Sequence, residues 1–192
     1  MGLLFMSEMR HKIEALYGPS FLRKSAMNIR GGAGVFEKVL KGRNYGEVLE
    51  IGTYRGVSAA EMSQYCKHVT TIDLAHGKLE QNGTPFDRCA FWGSVDVHNC
   101  SFHAVADDAE KAQFIGGREF DFAFIDGGHH GNSCARDFEL VKRCGRVLFH
   151  DYDDSGQPHL NAVYDFVNSL PRSEVTVMDI FALWIAPWQS NG

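Results

Sequence analysis

Val48-Leu-Glu-Ile-Gly52-Thr-Tyr-Arg-Gly56-Val-Ser58 decides the fold. An apolar strand carrying one acid, Glu50, runs into two glycines four residues apart, and a helix begins at the second. Such a turn builds a nucleotide-sized pocket at the carboxyl end of a parallel strand. Its glycines let a ligand approach the backbone, and the new helix offers free N–H groups. The spacing narrows the choice of nucleotide. Gly52-x-x-x-Gly56 is not the Gly-x-Gly-x-x-Gly of a dinucleotide fold, and no Gly-Lys-Ser/Thr comes after it as in a phosphate-binding loop.

Outward from this turn, strands and helices alternate. Before it, Phe5, Met6, Met9, Ile13, Leu16 and Tyr17 recur at helical spacing, with Gly18-Pro19 as a stop, and Val35, Phe36, Val39 and Leu40 mark a second helix ending at Gly42. Val48–Gly52 is the first strand, Val57–Cys66 a helix and Val69–Leu74 the second strand. Glycines and a proline break the stretch from His76 to Asn99, which predicts a short helix and a long loop. Ser101–Ala106 is a third strand, Phe120–Ile125 a fourth, Asn132–Lys142 a helix, Arg146–Phe149 a fifth strand and Leu160–Leu170 a helix. The near-continuous apolar character of Phe120–Ile125 suits a parallel strand covered on both faces. From Val175 to Pro187 two strands run on with almost no linker, which requires an antiparallel hairpin. The pattern predicts an α/β fold: a three-layer, doubly wound, mostly parallel sheet of seven strands with a terminal antiparallel hairpin. Residues 1–192 read as one domain, with 1–45 as a helical cap.

Bulk composition excludes several classes. A chain of 192 residues with 44% hydrophobic content can bury a full three-layer core. The net charge of −5 argues against a nucleic-acid binder, which needs a basic face. That charge is uneven: residues 1–45 hold eight Lys/Arg against three Glu, or +5, leaving −10 for the rest. The basic segment is either a solvated helix pair or a flap over an acidic site. Five cysteines without a C-x-x-C predict reduced thiols in a cytoplasmic protein. No segment reaches membrane-spanning length, and the apolar start is too short for a signal-peptide core. A homo-oligomer stays open.

In an open α/β sheet the ligand lies off the carboxyl ends of the strands. Asp73 ends strand two, where an acid accepts both hydroxyls of a ribose, although a cap or turn is the plainer role. Asp107, after strand three, could accept from an adenine amino group, with Asp108 capping the next segment; a solvated cap is the alternative. Strands four and five end in Ile125-Asp-Gly-Gly-His129-His130 and Phe149-His-Asp-Tyr-Asp-Asp154, the richest polar stretches in the chain. Their strands should be neighbours, placing Asp126 and Asp151 about 5 Å apart at the backbone. Two carboxylates that close call for a proton or a cation between them. Mg2+ or another divalent cation there could lower the pKa of a substrate hydroxyl. Alternatively His129 or His150 could take the substrate proton directly. Both acids could also be purely structural. Phe91 and Trp92 serve either as walls for an acceptor or as core.

Glu50–Ser58, Ile125–His129, Asp137 and Phe149–Tyr152, in this order and spacing, resemble one branch of the class I S-adenosylmethionine (SAM)-dependent methyltransferases. The branch is methyltransferase family 24, similar also to macrocin-type O-methyltransferases and cephalosporin-hydroxylase-like proteins. The likeness covers about residues 45–188. It implies SAM contacts from Glu50, Gly52, Thr53, Tyr54, Gly56 and Ser58, ribose contact from Asp73, adenine contact near Asp107, and Asp126, His129 and Asp151 at the reacting centre. In metal-dependent relatives, acids like Asp126 and Asp151 hold a divalent cation with a third polar residue; here Tyr152 stands in that place, so Asp153 or a histidine would complete the set. The implied activity is O-methylation of a small polar acceptor, a sugar or secondary metabolite. The alternatives are a metal-binding, non-methylating relative of the hydroxylase-like kind and a non-catalytic SAM-binding protein.

Overall fold

The computed structural model describes residues 8–22, 34–74, 80–81, 84–128, 130–153 and 158–189. Its strands are β1 (Tyr45–Ile51), β2 (Cys66–Leu74), β3 (Glu80–Gln81), β4 (Thr84–Pro85), β5 (Cys100–Val105), β6 (Phe122–Ile125), β7 (Arg146–Phe149), β8 (Val175–Met178) and β9 (Phe181–Ile185). The helices are α1 (Glu8–Tyr17), α2 (Pro19–Leu22), α3 (Val35–Leu40), α4 (Val57–Met62), α5 (Arg88–Ser94), α6 (Asp108–Gly116), α7 (Ser133–Val141) and α8 (Pro158–Ser169).

Seven strands form one sheet in the order β5-β2-β1-β6-β7-β9-β8, and β3 and β4 make a separate two-residue ribbon. β1 pairs in parallel with both β2 and β6, β5 extends the sheet beyond β2, and β7 beyond β6. β9 runs antiparallel to β7 and to β8, so the expected terminal hairpin is present. Its two-residue turn, Asp179-Ile180, places Asp179 in the left-handed backbone region.

Period-two alternation separates two buried faces. Val48, Phe122, Phe124 and Leu148 point to the face covered by α1 to α5, where Ile13, Phe36 and Met62 pack. Leu49, Ile51, Ala123, Ile125, Val147 and Phe149 point the other way, against Phe138 of α7 and Val163 of α8. Because both faces are covered, β6 is buried at all four positions, as its apolar run requires. Among the four buried positions of β1, Val48 to Ile51, only Glu50 is polar, and it lies on the first face, toward α4.

The structure revises several expected elements. β1 starts three residues before Val48 and β6 two after Phe120. Helix α6 was not legible as an element; its sequence has only Phe114 and Ile115 as large apolar residues. Between residues 76 and 99 the described residues hold the short ribbon and α5. Phe91 and Trp92 are both 2% exposed, hence core residues and not acceptor walls. The N-terminal helices pack against α5: the Tyr17 ring lies 5.4 Å from that of Phe91, and its hydroxyl is 2.6 Å from Ser94 Oγ. In the basic segment, Lys12 pairs with Asp96 and Lys41 with Glu37, away from the carboxyl ends of the central strands. No helix among the described residues is long and apolar enough to cross a membrane.

Candidate active site

The β1–α4 turn is held by a buried polar network. Glu50 is fully buried, with one carboxylate oxygen accepting from Ser58 Oγ and the other from Thr71 Oγ1 at 2.5 Å. Thr71 Oγ1 is also 2.6 Å from Thr53 Oγ1. Three elements, β1, β2 and the start of α4, thus share one carboxyl group. Burial pushes that carboxyl up to about 8, against the opposing pull of the Ser58 and Thr71 hydrogen bonds. Glu50 and Ser58, expected as ligand contacts, instead brace the loop from behind.

Asp73 braces it from the side. Its Oδ2 accepts from the N–H groups of Thr53 and Tyr54 at 3.2 and 3.0 Å, and its Oδ1 from Leu74 N at 2.8 Å. Arg88 reaches over from α5, donating to Tyr54 O at 2.6 Å with its guanidinium over the Phe102 ring. Thr53 and Tyr54 therefore present no free N–H in this state; Asp73 Oδ2 is taken by these two bonds with Arg88 Nη2 at 3.9 Å, while Oδ1, which accepts one N–H, keeps acceptor capacity.

The two glycines answer different constraints. A Cβ on Gly52, at φ +96°, would lie 2.2 Å from the carbonyl oxygen of Asp126. The ends of β1 and β6 are too close there for any side chain. Gly56, at φ +74°, faces Trp92 instead: a Cβ would come 2.8 Å from Trp92 Nε1, which donates to Gly56 O at 2.9 Å. So Gly56 fits α5 against the loop and does not face a ligand.

A cavity of about 250 Å³ opens beside this loop, lined among others by Gly52, Asp73, Leu74, Val105, Gly127 and Gly128. Its far wall carries Asp108 and Lys111 of α6 and Arg136 and Asp137 of α7. Sequence reading overlooked Lys111 and Arg136; the i,i+3 pair Asp108–Lys111 was the available signal, had α6 been recognised. Asp107 is the N-cap of α6, its Oδ1 accepting from Ala109 and Glu110 N–H at 2.9 Å. The capping expected of Asp108 thus falls to Asp107, and Asp108 is free to face the cavity. A larger pocket around Arg43, Glu119, Asp121 and Arg143 lies at the amino ends of the strands, away from every expected residue.

At the neighbouring edge, β6 and β7 pair Ile125 with Phe149, which sets His150, not Asp151, level with Asp126. His150 Nδ1 lies 2.7 Å from Asp126 Oδ1 and 3.2 Å from Asp151 Oδ1. The ring is 3% exposed, and its Nε2 has no hydrogen-bond partner among the described residues. The Phe181 ring packs on it at 4.9 Å. Burial alone would lower the imidazole's pKa, but Asp126 and then Asp151 outweigh it and push it up to about 10. An imidazolium at neutral pH does not take a second proton, which counts against His150 as the base offered by the sequence. Asp151 has φ +57°, a left-handed backbone that costs about 1–3 kcal/mol outside glycine.

Asp126, His150 and Asp151 bring ligand atoms within 4.8 Å of one another; Asp153, the expected third metal ligand, does not join them. Tyr152 turns away, its hydroxyl 3.2 Å from Asn168 Oδ1 on α8. His129 lies outside the described residues. The group suits a hard divalent cation poorly. Mg2+ is held by carboxylate and water oxygens, whereas here the imidazole nitrogen of His150 already lies between the two acids, 2.7 Å from one and 3.2 Å from the other. A donor of the SAM type fits the cavity's chemistry better: one acid for a diol, with apolar Ile72, Leu74 and Val105 beside it.

The model of methyltransferase family 24, described as a methyltransferase domain, matches residues 49–152, more than half of the chain. No curated protein sequence matches significantly. Among solved structures, the O-methyltransferase TomG from Streptomyces achromogenes, involved in tomaymycin synthesis and in complex with SAM, superposes with a TM-score of 0.66 at 16% identity, covering 95% of this chain and 92% of its own. An O-methyltransferase from Bacillus cereus in complex with S-adenosylhomocysteine (SAH) gives 0.62 at 15% identity, covering 95% and 93%.

The loop geometry sets two expected outcomes. Gly52→Ala should destabilise the fold by about 2 kcal/mol or more, with loss of the thermal shift that SAM gives the parent. Glu50 has a folded pKa of about 8 against 4.5 unfolded. Its contribution is therefore full below the unfolded value and is lost as pH rises toward 8. Glu50→Gln removes that loss, so its Tm should exceed the parent's by roughly 5–10 °C at pH 8 and converge with it near pH 5. Parallel melting curves across pH check this.

Proposed function

The chain belongs to methyltransferase family 24 of the class I SAM-dependent methyltransferases, and from that premise we propose that it methylates oxygen on a small polar acceptor, a sugar or secondary metabolite. The observation that carries the proposal is the Asp126–His150–Asp151 group beside Gly127, where the donor cavity meets the β6–β7 edge. The O-methyltransferases among the structural neighbours favour oxygen as the atom methylated.

SAM supplies an electrophilic methyl group on a positively charged sulfur. Gly52 and Gly127 would let it approach the backbone, and Asp73 Oδ1 would accept from a ribose hydroxyl. Asp126 orients the acceptor hydroxyl by accepting its hydrogen bond. An acceptor hydroxyl that received this methyl group would become strongly acidic. A carboxylate is then a sufficient base, so Asp126 can take the proton. His150 holds Asp126 in place through Nδ1 and balances both acids, the task a cation performs in metal-dependent relatives. The described N-terminal residues 8–22 would cap the site from the α5 side: Arg55 of the donor loop donates to Phe21 O at 3.3 Å and lies over the Phe21 ring. The chain then works as a single domain.

A second reading, in which Asp126, His150 and Asp151 hold a divalent ion and no methyl group moves, draws on the same three residues. The test is SAH formation from SAM over a panel of sugars and phenols. Asp126→Asn should lower the rate at least about 100-fold while SAM affinity stays within about threefold, and EDTA should leave the parent rate unchanged. A rate abolished by EDTA and restored by Mg2+ would overturn the role given to His150. Metal binding without SAH formation on any acceptor would favour the second reading.

A further inference from the structure

Tyr54, on the donor loop, holds a backbone conformation that its residue type resists. Its φ is +44°, in the left-handed region that an L side chain disfavours. Both peptide groups that define this conformation are pinned. The N–H of Tyr54 donates to Asp73 Oδ2 at 3.0 Å, which fixes rotation about φ. Its carbonyl accepts from Arg88 Nε at 2.6 Å, which fixes rotation about ψ. Arg88 Nη2 stands 3.9 Å from the same Asp73 oxygen, so the two pinning side chains also attract each other. Arg88 has little freedom of its own. Its side chain is 11% exposed, and its guanidinium lies 4.2 Å from the centre of the Phe102 ring.

Helix α5 supplies the outer half of this grip. Asp87 caps it by accepting from Ala90 N at 3.0 Å, which puts Arg88 in its first turn. Arg88 and Trp92, four residues apart, share one helix face. They donate to Tyr54 O and Gly56 O, two carbonyls of the same loop. The Arg55 side chain, between those carbonyls, donates to Phe21 O instead. Released from Arg88, Tyr54 would leave the left-handed region and draw its N–H away from Asp73. The Asp73 carboxylate would lose a contact that orients it, and the Gly52 corner of the cavity wall would lose its fixed place.

We propose that Arg88 is a positioning residue for the methyl donor: with Asp73 it latches Tyr54 in the left-handed conformation and so presets the loop for binding. This inference rests on the SAM reading above. The latch acts through a population. A donor that binds only the latched loop has its apparent affinity reduced to the extent that molecules are unlatched. Without Arg88 the left-handed penalty of Tyr54 is unopposed on the carbonyl side, and the latched fraction should fall to about one tenth. Glycine at position 54 carries no such penalty, so there the loss of Arg88 should matter little. Dependence on the residue at 54 separates a latch from plain packing of α5.

Calorimetric titration of the full chain with SAH tests the latch. Arg88→Met keeps an unbranched stem beside the Phe102 ring and removes the donors. It should weaken SAH binding about tenfold in the parent, and about tenfold again in Tyr54→Ala, which loses the ring but keeps the left-handed penalty. In Tyr54→Gly it should weaken binding about threefold or less. Unchanged affinity in Arg88→Met, or an equal loss in the alanine and glycine backgrounds, overturns the latch and leaves the SAM reading intact. Failure of the folded parent to bind SAH overturns the SAM reading and, with it, the role of Arg88 toward the donor. Amide exchange in the ligand-free parent needs no variant and decides if Arg88→Met fails to fold. The Tyr54 N–H should exchange at least about 100-fold more slowly than in an unfolded chain, and exchange at the unfolded rate overturns the latch.

Discussion

The carbonyl of Asp126 stands so near Gly52 that no side chain fits between them. This contact ties the donor loop to the acceptor edge. Asp126 N donates to Ile51 O at 2.8 Å, so the ends of β1 and β6 are locked in register where the chain must also turn. A cavity on the β2 side of Gly52 and an acid group on the β7 side are thereby held at fixed separation. Gly127 and Gly128, next in the chain, line the cavity, where a Cβ would crowd Ile51 and Ser133 respectively.

The residues around this contact divide into those that face the cavity and those that support it. Glu50, Ser58, Thr71 and Thr53 form a buried chain of hydrogen bonds, and Trp92 closes the far side of the loop against Gly56. Such a network favours a rigid loop, because loss of any member leaves a buried polar group unpaired. Toward β7, His150 occupies the place between two acids where the sequence left room for a metal. Positive charge is supplied there by a side chain, and the strained backbone of Asp151 helps bring its carboxylate to that ring.

Much of this was legible in the sequence, for identifiable reasons. The near-continuous apolar run at Phe120–Ile125 suits a strand buried on both faces, and the missing linker after Met178 forces a hairpin. Asp73 could be located because the residue ending a strand in such a sheet lies at the ligand edge. What the sequence withheld was direction. Position after a strand does not tell whether Glu50 or Gly56 faces a ligand or the core, and the structure turns both inward. Nor does it give register, which sets His150 level with Asp126. Lys111 and Asp137 are 26 residues apart and meet only because α6 and α7 pack side by side. With few large apolar residues, α6 gave no periodic signal, so its cavity-facing pair was hidden with it.

A crystal structure of the chain with SAH bound tests the shared geometry most directly. The ribose hydroxyls should lie on Asp73, with the sulfur at the Gly52–Gly127 end facing Asp126. A nucleoside bound elsewhere, or one whose sulfur points away from the Asp126–His150 edge, would contradict the link between donor cavity and acid group on which the proposed chemistry depends.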